Sequence, residues 1–252
     1  MILLARRIGK SSAISPPILC ALLCLSAFLV MIPSPGGKAR GSDSSVVGGG
    51  TVAGHVEIKT VLKEVTRQRG RRYRARGSPE VEARLASESA EPEISAVVVY
   101  LEEIGEKRSY SPPSQPATLL QEGKKFVPHV LPVVRGTSVQ IVNRDDYYHN
   151  VFSNSSVKRF NIGRQVTKKV VTETFDKAGF VPVFCDIHLE MSAYVLVFEN
   201  PFFAKPDANG DYVIHNVPGG KYRVVTWHER LLSQSQEITI REDGTVTVDF
   251  TL

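Results

Sequence analysis

Short runs rich in Val, Ile, Thr, Phe and Tyr recur along this chain, each closed by Gly, Pro, Asn or Asp, and no long stretch repeats its apolar residues at helical spacing. That pattern restricts the chain to an all-β fold. The expected strands are Thr51–Leu62, Ile94–Leu101, Ser138–Asn143, Val166–Phe175, Val181–Phe184, Ala193–Phe198, Tyr212–Val217, Tyr222–Trp227, Gln236–Arg241 and Thr245–Leu252. Two segments fall outside the pattern. Lys63–Gly77 is arginine-rich and is followed by Glu80, Glu82, Glu88, Glu91 and Glu93, so residues 63–94 read as a charged, flexible insertion. Ser109–Pro116, with three prolines, reads as a boundary.

The first 39 residues place Arg6, Arg7 and Lys10 ahead of an apolar run from Ile18 to Ile32 and then a small-residue stretch ending at Ala39, the build of a cleavable secretory signal. The Arg6-Arg7 pair also matches a twin-arginine signal loosely. The reading implies a periplasmic or secreted protein with no stable membrane span after cleavage. Four of the basic residues behind the formal charge of +5 lie in this segment, where no acid stands, so the remainder is close to neutral and offers no argument for a nucleic-acid partner. Cys20 and Cys24 would leave with the signal, and Cys185 would then be the lone cysteine of an exported protein. A lone exported thiol is either an inert, buried side chain or a metal ligand or nucleophile.

Its neighbours bear on that choice. Cys185-x-x-His188-x-x-Met191 presents a thiolate, an imidazole and a thioether from one short loop, a donor series suited to copper. An electron-transfer copper site needs a second imidazole. His55, His129, His149, His215 and His228 are available, and His149 is the candidate because it precedes the start of a short Val-Phe strand and is followed by Asn150. His129, beside Pro128, is expected to face solvent, and His55, His215 and His228 have no metal spacing. Two facing sheets would bring the His149 loop beside the Cys185 loop. Zinc bound by Cys and His gives no reason for Met191, and a Cys185–His188 nucleophile lacks an orienting group. No catalytic residue is assigned.

Phe126-Val-Pro128, Arg135-Gly-Thr-Ser-Val-Gln140, Asn143-Arg-Asp145, His149-Asn150-Val-Phe152, Gly179 and Phe184-Cys185-x-x-His188-x-x-Met191 together resemble the plastocyanin-like cupredoxins, and the short Cys-to-Met loop looks most like the amicyanin type. The resemblance covers residues 116–200 and implies a Greek-key β-sandwich holding one type 1 copper ion. It implies His149, Cys185 and His188 as ligands, Met191 as the axial ligand, and Asn150 as a residue that ties the ligand loops and offers a hydrogen bond near the Cys185 sulfur. Pro182, in the strand before Cys185, departs from a regular ladder and suggests an edge or bulge.

Gly50-Thr-Val-Ala-Gly54-His-Val56 and Pro206-Asp-Ala-Asn-Gly210 through Trp227 resemble the two halves of a carboxypeptidase-regulatory-like β-sandwich, over residues 49–104 and 201–252, interrupted by the cupredoxin. The layout is similar to methylamine-utilisation-like proteins. On this reading Asn209-Gly210 and Pro218-Gly219-Gly220 set up hairpins, and Thr51–Lys59 shares a sheet with Tyr222–Thr226. The expected function is a one-electron carrier serving a redox partner protein. Copper storage or delivery, or a scaffold or adhesion module, are the other readings.

Overall fold

The computed structural model describes residues 48–59 and 93–252. The expected signal and residues 63–92 of the charged insertion lie outside them. Within them the fold is all-β, with one 3-10 turn, Glu93–Ala96. No helix among the described residues is long and apolar enough to cross a membrane. Glu93 and Ile94 thus belong to an ordered turn and not to the insertion. Glu93 is held by an ion pair with Arg230.

The strands are β1 (Gly50–Glu57), β2 (Val98–Glu103), β3 (Ala117–Glu122), β4 (Lys125–Val127), β5 (Val130–Val134), β6 (Thr137–Asn143), β7 (His149–Asn154), β8 (Arg159–Gln165), β9 (Val170–Phe175), β10 (Gly179–Cys185), β11 (Ser192–Phe198), β12 (Phe203–Ala204), β13 (Asp211–Val217), β14 (Gly220–Trp227), β15 (Ser235–Ile240), β16 (Thr245–Thr247) and β17 (Phe250–Thr251). They form four sheets. The first runs β13-β1-β16, with β17 also on β1; the second β12-β2-β14-β15; the third β5-β11-β10-β7-β8; the fourth β4-β3-β6-β9.

Side-chain alternation explains the stacking. In β6, Thr137, Val139, Ile141 and Asn143 are buried and the residues between them are not, so the fourth sheet covers a core on one face only. The strands β2 and β11 are apolar on both faces, as expected of strands with a layer on each side. Val99 and Leu101 join Val52, Val56, Tyr222 and Val224 in a core between the first and second sheets. Val98 turns the other way and meets Val130, Leu196, Phe198 and Trp227. In β11, Ala193, Val195 and Val197 pack with Leu119, Ile141 and Phe175 of the fourth sheet. Three apolar seams therefore hold four sheets in series, and the third sheet, which carries the candidate site, is covered on both faces.

Strands from before and after the run β3–β11 pair with one another: β1 with β13, and β2 with β14. The expected sharing of one sheet by Thr51–Lys59 and Tyr222–Thr226 does not occur. β1 and β14 lie in different sheets and meet across the first seam. Nor do the two turns make hairpins. Asn209-Gly210 and Pro218-Gly220 carry the chain between the second sheet and the first, because β13 pairs with β1 while β14 pairs with β2 and β15. The second corner is tied by the Tyr222 hydroxyl, which donates to the Pro218 carbonyl at 2.9 Å, and by Arg108, which donates to the Gly219 carbonyl at 3.0 Å. The expected strand Val166–Phe175 begins only at Val170, and β8 precedes it as a separate strand. Lys168 there adopts φ +63°, a left-handed conformation that interrupts a strand.

One position tests the first sheet. A Cβ on Gly54 would lie 1.7 Å from the Val248 carbonyl oxygen, which also accepts from the Tyr212 hydroxyl at 2.7 Å. Backbone crosses backbone there, and neither can yield. Gly54→Ala is expected to cost about 3 kcal/mol, the upper range for forced overpacking. Urea denaturation checks this, and an unchanged midpoint would refute the close approach.

Candidate metal centre

His149 opens β7 and Cys185 closes β10, and these are neighbouring antiparallel strands of the third sheet, with Cys185 opposite Val151. Directly paired residues share a face, as do residues two apart on one strand. The imidazole and the thiol therefore reach the same face of one sheet. The sequence expectation that two facing sheets would join two loops is corrected here, because His149 belongs to a strand, not to a loop. Both side chains are buried, His149 completely.

The third member comes from the turn after β10. The His188 amide points at the Cys185 Sγ at 3.5 Å, the Met191 amide donates to the His188 carbonyl at 3.1 Å, and the Cys185 amide donates to the Met191 carbonyl at 3.4 Å. These bonds curl the three-residue spacing back on itself. Met191 is buried in the same apolar cluster as Cys185. Pro182 lies in an interior strand, but the β7 ladder reaches β10 only at Phe184 and Cys185, so its missing N–H falls where β10 is locally an edge.

Three donor atoms converge. Cys185 Sγ is 3.7 Å from His149 Nδ1 and 4.0 Å from His188 Nδ1, and the two Nδ1 atoms are 3.1 Å apart. The point equidistant from all three lies roughly 2.1 Å from each, close to ordinary metal–imidazole and metal–thiolate bond lengths. Among the described residues these three form the one group of His, Cys, Asp and Glu side chains placed to hold a metal ion. Two imidazoles and one thiolate make a donor set of the type 1 copper kind.

The surroundings are asymmetric. Burial, then the neighbouring His149, pushes the His188 imidazole below its ordinary pKa, which favours the neutral, ligating form. Tyr147 sets its ring near both imidazoles, 5.3 Å from His149 and 5.4 Å from His188. The sequence reading gave Asp145 no role, yet its Oδ2 lies 2.8 Å from His149 Nε2. Burial pushes the Asp145 carboxyl up, but the Lys124 amide, the His149 ring and the Gly123 amide together hold it below the usual carboxylate range. Its position four residues before His149 was the available signal, and nothing local distinguished it from Asp146.

Asn150 donates through Nδ2 to Asp186 Oδ2 at 2.8 Å, and its carbonyl accepts from the Asp186 amide at 3.2 Å, so it joins β7 to the ligand turn through Asp186. The amide directed at the sulfur belongs to His188. His129 does not face solvent as expected. Parallel pairing of β5 with β11 sets its ring against Ser192, whose carbonyl lies 2.9 Å from Nδ1, while Glu229 lies 3.0 Å from Nε2. His55 pairs with Asp211, His215 is exposed, and His228 is buried; none joins the cluster.

No protein-family model matches the chain, and no curated protein matches it in sequence. Solved structures match part of it. A reduced amicyanin mutant is 23% identical over 35% of this chain and 92% of its own, with a TM-score of 0.32. A purple cupredoxin from Nitrosopumilus maritimus is 21% identical over 32% of this chain and 99% of its own, at 0.30. A copper-containing nitrite reductase from Thermus scotoductus SA-01 is 24% identical over 39% of this chain, at 0.33, and this chain spans 26% of its length.

Proposed function

We propose that the chain is an exported electron carrier that would hold one copper ion through His149, Cys185 and His188, with the Met191 thioether as a further, weak donor, and that it performs no catalytic step. The observation that carries this reading is the triangle of Nδ1, Nδ1 and Sγ atoms around one point at bonding distance. When bound, copper supplies a one-electron couple. The residues around it supply rigidity. His149 and Cys185 sit on paired strands with apolar seams on both faces of their sheet, a setting that would hold both side chains nearly fixed around a bound ion.

Access is confined to one side. His188 is the ligand with partial exposure, and it is flanked by the exposed side chains of Ile187 and Leu189, with Tyr147 and Tyr148 also exposed. An apolar surface beside an exposed ligand suits brief docking of a redox partner protein. On this reading the sheets built from β1, β2 and β12–β17 serve as a positioning module.

Titration of the purified protein with Cu(II), followed by absorption, electron paramagnetic resonance and voltammetry, tests the reading. One tightly held copper per chain, an intense thiolate-to-copper band with narrow hyperfine splitting, and a reversible couple are expected. Copper bound without that band, or surrendered readily to a competing chelator in one oxidation state, would refute electron transfer and favour delivery.

A further inference from the structure

Asp145 has a more definite task than its place in the chain suggests. Its carboxylate is caught in the turn between β3 and β4, where Gly123 and Lys124 have φ of +60° and +59°. Two successive left-handed residues turn their amides toward one point, an arrangement that binds anions. The Gly123 amide donates to Asp145 Oδ1 at 2.7 Å and the Lys124 amide to Oδ2 at 3.1 Å. The backbone is held as firmly, with the Asp145 amide donating to Asn143 Oδ1 at 2.9 Å and Thr167 Oγ1 donating to the Asp145 carbonyl at 2.6 Å. Asn143 in turn donates to the Tyr147 and Gln165 carbonyls. Two amides on the carboxylate and two bonds on the Asp145 backbone keep the carboxylate from swinging away from His149 Nε2.

An ionised carboxylate only accepts hydrogen bonds. The proton shared with His149 must therefore reside on Nε2, and in the neutral ring this leaves the Nδ1 lone pair free and aimed at the point shared with Cys185 Sγ and His188 Nδ1. His188 has no described carboxylate partner, so the two imidazoles are inequivalent: one locked within the sandwich, one near the surface. A full negative charge one imidazole ring away from the ion also favours its higher oxidation state.

We infer that Asp145, clamped by the Gly123-Lys124 turn, is the positioning residue of the site: it fixes His149 as an Nδ1 ligand before metal arrives and biases bound copper toward Cu(II). The inference rests on the copper reading for its second half alone. Its first half concerns the metal-free protein, so the two fail separately.

Nitrogen-15 NMR of histidine-labelled, metal-free protein reads the tautomer directly, with no variant needed. The neutral His149 ring is expected as the Nε2–H tautomer, and an Nδ1–H tautomer would overturn the inference even if copper binds as proposed. Asp145→Asn is then expected to lower the Cu(II)-to-Cu(I) affinity ratio about tenfold, which is about 59 mV upward in potential for a one-electron couple. Asp145→Glu, which keeps the charge, should recover most of it. A folded Asp145→Asn protein with an unchanged ratio overturns the bias toward Cu(II). If the wild-type protein takes up no copper, the copper reading and the bias fall together, while the tautomer result still decides whether Asp145 orients His149.

Discussion

Cys185→Ser is expected to abolish the intense thiolate-to-copper absorption and to weaken Cu(I) binding by on the order of 100-fold or more, since this residue is the soft anionic donor of the set. Serine is nearly isosteric, but its hydroxyl stays protonated and is a hard, poor ligand for Cu(I). The serine hydroxyl keeps polar neighbours in the His188 amide and the two imidazoles, and thermal denaturation will register any change in stability separately. Copper competition with a Cu(I) chelator, run beside absorption spectra of both proteins, gives the measurement. Retention of the band would mean that the thiolate is not a ligand. A loss confined to stability, with copper affinity intact, would point the same way.

The second large effect is structural. Trp227 lies in the seam between the second and third sheets, with its ring 5.2 Å from Tyr194 and 5.8 Å from Phe180. That seam is the smallest of the three, and it contains one tryptophan where the others spread their area over many strands. Trp227→Ala is expected to cost about 3–5 kcal/mol. The neighbouring seams keep all their side chains, so the loss should fall on the join between them, splitting a cooperative melt into two calorimetric transitions. The copper spectrum should survive the first, because the ligands lie on the far face of the third sheet. A single unshifted transition would show that the Trp227 seam contributes little to holding the halves together.

Sequence and structure divide the remaining information along a physical line. Spacing within one loop is local, so Cys185-x-x-His188-x-x-Met191 already restricts which donors a single turn can present to an ion. Alternation and apolar runs are local too. The all-β class follows from them, while the apolar runs Val98–Leu101 of β2 and Ala193–Phe198 of β11 offer no polar face for water. What joins distant segments is different in kind. His149 meets Cys185 because β7 pairs with β10, and a register is chosen by burying both faces of a sheet at once, which no window of sequence contains. The same holds for the sheet-changing corners at Asn209-Gly210 and Pro218-Gly220, for the ring of His129 held between Ser192 and Glu229, and for Asp145. That carboxylate and its neighbour Asp146 are chemically alike in the chain. Only the fold sets one of them between a pair of left-handed amides and a buried imidazole, because only packing decides which side chain of a turn faces inward.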